Sequence, residues 1–382
     1  MQRHAFLFYC LLFFAIRALH AQPAPAQPSD AVAFNVVEPF NSASSTAAIG
    51  DEETVTTTIA NLVRATAGKK SFTEVIGYTK KARPVTAYYF PGRSTARALV
   101  IGGVHGTELA AIEVGKQLVA QLAAGDTPYY NVLVIPSLFP DNAAMAIAQI
   151  STLGSEKNIG RYSHAEAPDP NRQMPGLGTP YNAVTNRDYL GRVIEYENTL
   201  LLQTIQLYKP QRIVNIHAIR DTALGGVYAD PRTDAAGLAL TFESDSSLAV
   251  QMALFIEQND GTAPGNQLAT TPTALYYKDP PVAPPGQWQK RNCHGSNLPN
   301  DRGRGVSLGS WASTAVWDSS HPTNNRAAIR MLTMEFPGYK RPQDYSAMQQ
   351  PYYQNQVRAY ASAIRHVFLN AIAVENDFKP DK

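Results

Sequence analysis

The segment Gly102-Gly103-Val104-His105-Gly106-Thr107-Glu108 combines residue types that could hold a metal ion. An imidazole and a carboxylate three residues apart can chelate one ion where the loop between them is tight, and Gly106 removes steric bulk from that loop. Zinc accepts such mixed nitrogen and oxygen ligands. In the alternative interpretation, Glu108 only caps a helix, because an acid in the first turn interacts favourably with the helix dipole, and His105 is an ordinary loop histidine.

His217 is a third candidate ligand, at the end of the apolar run 212–216. His105 also follows an apolar run, and the ends of two strands can converge on one ion at the edge of a sheet. Three protein ligands that leave a fourth position for water are the composition of a catalytic zinc site rather than of a structural one. We therefore predict one zinc ion per chain, held by His105, Glu108 and His217.

The elements that must position these ligands begin at about Phe72, where short β-rich apolar runs start to alternate with amphipathic helical stretches. This alternation predicts an α/β fold in which helices cover a sheet. Strands are predicted at 85–90, 98–101, 132–135, 213–216 and 331–334, and helices at 57–67, 108–122, 188–208, 247–258 and 352–374. Residues 261–309 are rich in proline, glycine and asparagine, so we expect a long irregular excursion there.

The beginning of the chain has the architecture of a signal peptide. Arg3 precedes the apolar run 5–16, which is shorter than the about 20 residues of a transmembrane helix. We predict a signal peptide at 1–21, a linker or lead-in segment at 22–70 and one large domain at 71–382. The expected location is therefore secreted or periplasmic, without stable membrane insertion after signal removal.

The charge balance gives no sign of a polyanionic partner. Removal of residues 1–21 takes two arginines and no acid from a chain with 33 lysines and arginines and 31 acidic residues, so the mature chain is neutral. Neither nucleic acid nor an anionic membrane surface is expected to bind such a chain. Of the two cysteines, Cys10 lies in the predicted signal and only Cys293 remains, so the mature chain can form no internal disulfide.

Further segments complete a pattern that resembles the M14 zinc carboxypeptidases, in which a His-x-x-Glu pair and a later histidine bind zinc. Asp169-Pro170-Asn171-Arg172 is similar to the family's Asp-x-Asn-Arg element, and Thr333-Met334-Glu335 is similar to its late Thr-x-Glu strand. Phe139-Pro140-Asp141-Asn142 resembles its Asn-Pro-Asp-Gly turn, and residues 77–85 resemble its first hairpin. The similarity covers about residues 72–339 and implies a three-layer α/β/α fold with a mixed, mostly parallel central sheet.

The resemblance also implies roles for two carboxylates. Glu335 would be the general base that takes a proton from a zinc-activated water and passes it to the leaving amine. Asp169 would orient the imidazole of His105. The alternatives are a salt-bridged acid at a strand end for Glu335 and a loop acid that caps a turn for Asp169.

Three residues match the family's substrate-binding groups. Asn171 and Arg172 resemble the pair that binds the terminal carboxylate, for which a guanidinium supplies paired charge-assisted hydrogen bonds. Arg161 is the best match to the arginine that stabilises the oxyanion, and its alternative is an exposed loop arginine. Many members carry a mobile tyrosine before the base, but residues 306–334 contain no tyrosine; Tyr339, which follows the base, could swing in.

The function predicted from this pattern is an exported zinc carboxypeptidase that acts on peptides or on the stem peptides of peptidoglycan. One alternative is a zinc amidohydrolase that deacylates an N-acyl amino acid, as the aspartoacylase and succinylglutamate desuccinylase relatives do; the predicted signal peptide argues against it. A non-enzymatic binding protein on a decayed peptidase scaffold is another. Substrate side-chain preference, oligomeric state and removal of residues 31–70 are left open.

Overall fold

All five predicted strands are present in the computed structural model, which describes residues 52–68, 70–230, 232–235, 240, 242–266, 268 and 304–370. Within these ranges the strands are β1 (Phe72–Tyr78), β2 (Pro84–Phe90), β3 (Arg97–Gly102), β4 (Asn131–Ile135), β5 (Arg212–Ile219), β6 (Gly226–Asp230) and β7 (Arg330–Pro337). The helices there are α1 (Glu52–Ala65), α2 (Leu109–Ala124), α3 (Pro140–Ala148), α4 (Tyr196–Tyr208), α5 (Phe242–Gln258), α6 (Leu308–Ser313) and α7 (Gln350–Ala363). The predicted signal peptide and the centre of the 261–309 excursion lie outside the described residues.

The seven described strands form one sheet in the order β1-β2-β4-β3-β5-β7-β6. Its centre, β4-β3-β5-β7, is parallel, whereas β1-β2, β2-β4 and β6-β7 pair antiparallel. Five strands therefore run in one direction and two in the other. The central strands are continuous apolar runs because both of their faces are buried. The predicted mixed, mostly parallel sheet is confirmed.

Helices cover both faces of the sheet. Alternate residues of β3 point to opposite faces, so that Val100 belongs to a core shared with α2, α5 and α7, and Leu99 to a core shared with α1, α4 and α6. Leu118 and Met252 fill the first core, and Trp311 is among the largest buried side chains of the second. The predicted three-layer α/β/α architecture is confirmed.

Helix α1 lies in the segment that the sequence assigns to the lead-in. Val55, Ile59 and Leu62 on one of its faces are buried in the second core, and the hydroxyl of Thr56 donates to Gln203 of α4 over 3.3 Å. The helix therefore packs on the same core as the sheet. The domain boundaries at residues 21 and 70 stay predictions.

All five predicted helices are present, but their ends differ from the prediction. Helix α1 begins at Glu52, five residues before the predicted start. The prediction of helix from residue 188 was wrong, because 186–194 form a tight hairpin and α4 begins at Tyr196. Helix α5 begins at Phe242, five residues before the predicted start. Helix α7 begins at Gln350 and continues from Ile364 to Phe368 as a π-helical turn; residues 371–374 of the prediction lie outside the described residues.

Three short elements, β6, α6 and α3, were not predicted from the sequence pattern. Strand β6 is short and helix α6 has only 6 residues, so neither shows a full hydrophobic period. Helix α3 replaces the turn expected at Pro140. Proline is favourable in the first turn of a helix, because an N–H there has no partner within the helix and its absence costs nothing.

None of the helices in the described ranges has both the length and the apolar character that a bilayer crossing requires.

Candidate metal centre

Three neighbouring parallel strands position the candidate residues. His105 follows β3, His217 lies in β5, and Glu335 lies in β7. The register of the sheet pairs Gly102 with Ile216 and His217 with Glu335. The sheet itself therefore brings the three segments to one edge, where their carboxyl ends meet.

The loop after β3 depends on two glycines. Gly103 has φ +65°, a conformation that residues with a side chain rarely adopt. At Gly106, a Cβ atom would lie 2.3 Å from the main-chain carbon of Asn142 and 2.3 Å from the carbonyl oxygen of Gly160, so no larger residue fits without displacing the backbone. These glycines let the loop turn tightly between His105 and Glu108.

His105, Glu108 and His217 form one buried cluster, with one potential ligand atom from each lying within 4.8 Å of the others. His105 Nδ1 lies 2.8 Å from Glu108 Oε1, and His217 Nδ1 lies 2.9 Å from Glu108 Oε2. The three residues are only 3–4% exposed. Both imidazoles thus turn the same nitrogen toward one carboxylate, and the cluster is compatible with a metal ion.

The outer nitrogens of the two histidines are also engaged. His105 Nε2 lies 2.8 Å from Asp169 Oδ1, which also accepts a hydrogen bond from the Asn171 main-chain N–H. His217 Nε2 lies 2.8 Å from Asn215 Nδ2 and 3.5 Å from Asn171 Nδ2. Such contacts fix the orientation of the ring and the tautomer that it adopts.

The Asn215 amide leaves its Oδ1 atom buried and without a hydrogen-bond partner among the described residues. Oxygen and nitrogen of an amide are interchangeable by a rotation of 180° about the terminal torsion angle. Rotation would place Oδ1 at His217 Nε2, which would then donate its proton to Asn215. The lone pair of His217 Nδ1 would in that state face Glu108 and be available to a metal ion.

Burial and charge act together on the titration of this cluster. Burial alone would raise the pKa of Glu108, but the two histidines hold it well below its usual range. Burial lowers the pKa of His217, whereas at His105 Glu108 and Asp169 outweigh burial and raise the pKa to about 9. Burial, followed by repulsion from Glu108, raises the pKa of Glu335 to about 8.

Arg161 lies against the cluster rather than in solvent. Its Nη1 donates to Glu108 Oε1 over 2.9 Å, and its Nη2 lies 3.3 Å from His105 Nδ1. Its Nε donates to the Tyr162 hydroxyl over 3.4 Å, and its positive charge partly offsets the rise that burial causes in the pKa of the Tyr339 phenol. The structure therefore brings Arg161 to the predicted site, together with the tyrosine that follows the predicted base.

Asn171 and Arg172 lie beside the cluster on one short turn. Asn171 Oδ1 accepts from the Leu308 N–H over 3.2 Å, which aims the amide nitrogen toward His217. Among the described residues the guanidinium of Arg172 makes one hydrogen bond, from Nη1 to the Asn171 carbonyl over 2.8 Å. Most of its five N–H donors are therefore available to a ligand.

The structure adds residues that the sequence pattern did not select. Tyr162 and Asn215 contact the predicted site residues directly, and Arg192 contacts the main chain of Arg172. For Asn215 a signal exists in the sequence, because residues two apart on a strand share a face and Asn215 precedes His217 by two. Arg192 has no such signal, since its contact depends on a loop conformation.

No protein-family model and no curated protein matches this chain. Among solved structures, murein-tripeptide amidase MpaA from Escherichia coli O157 is 16% identical with a TM-score of 0.35, over 75% of this chain and 91% of that one. Bovine thrombin-activatable fibrinolysis inhibitor is 11% identical with a TM-score of 0.43, over 84% of this chain and 98% of that one. A metallo-carboxypeptidase from Pseudomonas aeruginosa is 13% identical with a TM-score of 0.41. The match covers 80% of this chain and 67% of that one.

Proposed function

We propose that this protein is an exported zinc metallocarboxypeptidase, which hydrolyses the C-terminal amide bond of a peptide or of a peptidoglycan stem peptide. The observation that carries the proposal is the buried cluster of His105, Glu108 and His217. Beside it lies Arg172, whose guanidinium makes one hydrogen bond within the described part of the chain. A site for one metal ion next to a group that binds a carboxylate is the arrangement expected of a carboxypeptidase.

The donor set fits zinc. Two imidazole nitrogens and one carboxylate oxygen are common zinc ligands, and a set of three leaves a position for water and substrate. The hydrogen bond from His105 to Asp169 keeps Nδ1 of that ring directed inward, as a ligating histidine needs. Bound zinc would supply Lewis acidity and lower the pKa of a water molecule toward neutrality.

The side chains around the cluster carry out proton transfer, stabilisation of the oxyanion and binding of the terminal carboxylate. Glu335 takes the proton of the attacking water and delivers it to the leaving amine. Arg161, which already lies against Glu108, donates hydrogen bonds to the carbonyl oxygen as negative charge develops on it. Arg172 and Asn171 hold the terminal carboxylate through charge-assisted hydrogen bonds and so select the last residue of a chain.

The metal assignment is tested by composition. Purified mature protein is expected to contain about one zinc per chain, as a three-ligand catalytic site requires. His217→Ala is expected to lose the ion, because only two ligands remain. His164 is an exposed loop histidine, so the control variant His164→Ala is expected to keep the ion. Mass spectrometry of the dialysed proteins measures the ratio. Full zinc occupancy in His217→Ala would overturn the ligand set.

The amide of Asn215 is expected to control how tightly His217 binds the ion. Asn215→Leu removes the group that holds Nε2, and loss of such a partner lowers metal affinity by about 10–100-fold. Asn215→Asp keeps an acceptor in the same place and should retain affinity close to that of the wild type. Competition with a chromophoric chelator measures both constants. Equal affinities of Asn215→Leu and wild type would contradict the role.

A further inference from the structure

The hairpin 186–194 stands where the sequence predicted the start of a helix. The Ile194 N–H donates to the Asn186 carbonyl over 3.0 Å, and the Asp188 N–H donates to the Arg192 carbonyl over 2.9 Å. Gly191 closes the turn with φ +78°. The hairpin is thus a defined structure and ends directly before α4.

An ion pair inside this hairpin fixes the Arg192 side chain. Asp188 Oδ2 accepts from Arg192 Nε over 2.6 Å, and Asp188 Oδ1 accepts from the main-chain N–H groups of Leu190 and Arg192, each over 2.9 Å. The Asp188 side chain is fully buried. A buried carboxylate with three hydrogen bonds holds its partner in one orientation.

The free end of the Arg192 guanidinium joins two other segments. Its Nη2 donates to the Arg172 carbonyl over 2.7 Å and to the Arg304 carbonyl over 3.1 Å. Gly305 permits this junction: its φ is +109°, and a Cβ there would lie 2.3 Å from the Arg172 oxygen and 2.7 Å from Arg192 Nη2. One guanidinium therefore connects the hairpin, the turn that carries Arg172 and the residues 304–308.

The segment after Arg304 in turn holds the Asn171 side chain. The Met174 N–H donates to the Val306 carbonyl over 3.2 Å, and the Leu308 N–H donates to Asn171 Oδ1 over 3.2 Å. If the Arg192 contacts are lost, both the carbonyl of Arg172 and the chain that orients the Asn171 amide lose their common support.

We infer that Arg192, held by Asp188, is a positioning residue for the substrate clamp formed by Asn171 and Arg172. The inference rests on the proposed carboxypeptidase function. Arg192 does not touch the reacting atoms; it fixes the main chain from which the two clamp side chains project. Displacement of a binding group by about 1 Å is enough to lower efficiency by up to about 10²-fold.

The test compares Arg192→Met with Arg187→Met in the full-length mature protein. Arg187 lies in the same hairpin and is a matched control, because the one hydrogen bond that its guanidinium makes to a described residue is from Nη1 to the Gly191 carbonyl, within the hairpin. For each protein, kcat/KM is measured on one peptide as the free acid and as the C-terminal amide. Arg192→Met is expected to lower the free-acid to amide ratio by about tenfold, mainly through KM, with zinc content unchanged. Arg187→Met should keep the wild-type ratio.

Hydrogen exchange gives a readout that does not depend on turnover. In Arg192→Met the amides of Met174 and Leu308 are expected to exchange faster, because the junction that holds their acceptors is lost. Arg192→Lys keeps the charge but cannot donate to Asp188 and to both carbonyls. It is therefore expected to show a smaller fall in the free-acid to amide ratio and a smaller rise in exchange. This variant replaces Arg192→Met in the test if Arg192→Met does not fold.

The outcomes separate this inference from the proposed function. If the wild-type ratio of kcat/KM on the free acid to kcat/KM on the amide is near one, no carboxylate clamp exists. That result contradicts both the carboxypeptidase proposal and the positioning role. A high wild-type ratio that is unchanged in Arg192→Met overturns the positioning role alone. An equal fall of kcat/KM on the free acid and on the amide in Arg192→Met also overturns the positioning role. That result would indicate only a structural role for Arg192.

Discussion

Glu335→Gln is expected to lower turnover by at least about 10²-fold while fold and zinc content stay as in the wild type. The amide has nearly the shape of the carboxylate but cannot accept a proton. Burial and repulsion from Glu108 raise the pKa of Glu335 to about 8. A metal ion held by Glu108 would offset part of that repulsion and so favour the ionised form of Glu335, which is the form that accepts a proton.

The control for this variant is Glu113→Gln. Glu113 lies on α2 and pairs with Lys116 at the surface over 2.9 Å, so the substitution changes net charge equally without touching the site. Its turnover should equal that of the wild type. Single-turnover kinetics with one peptide, at equal zinc content, measures both variants. Near-normal turnover in Glu335→Gln would place the base elsewhere.

Arg172→Ala is expected to lower kcat/KM on free-acid peptides by about one to two decades without loss of zinc. A charge-assisted hydrogen bond of this kind contributes about 1.5–3 kcal/mol, and each 1.4 kcal/mol corresponds to about one decade. The variant should also discriminate poorly between free-acid and amidated peptides. Arg172→Lys keeps the charge but loses the planar fork, so an intermediate loss is expected.

The wild-type ratio of efficiencies on matched free-acid and amide peptides decides the carboxypeptidase proposal. A clamp for the terminal carboxylate predicts strong preference for the free acid. An acyl-amino-acid hydrolase would leave longer peptides uncut from the start, whatever the state of their C-terminus. A ratio near one on peptides that are cleaved would exclude the terminal clamp.

The candidate ligands could be predicted from sequence because each follows from local pattern. His105 and Glu108 are three residues apart after an apolar run, and His217 lies at the end of another. Parallel strands end at the same edge of a sheet, so two strand ends suffice to predict a common site. Glu335 was selected through the resemblance of Thr333-Met334-Glu335 to the family's Thr-x-Glu strand, and the register of the sheet places it opposite His217.

Arg192 shows why other parts of the site could not be predicted. Helical propensity favours a continuous helix from residue 188, yet the buried Asp188 carboxylate satisfies the main-chain N–H groups of Leu190 and Arg192 and holds a hairpin. The contact of Arg192 with Arg304 joins residues 112 positions apart. Contacts at such separations leave no periodic signal in the sequence.

The order of the central strands has a consequence for folding. Strands β3, β5 and β7 are neighbours in space, but more than a hundred residues separate β3 from β5 and β5 from β7. Closing such long loops is entropically costly, and parallel pairings at this distance form slowly. A chain that lacks β7 therefore has the candidate ligands but not Glu335. Under the proposed function, hydrolytic activity is expected only after β7 has paired with β5.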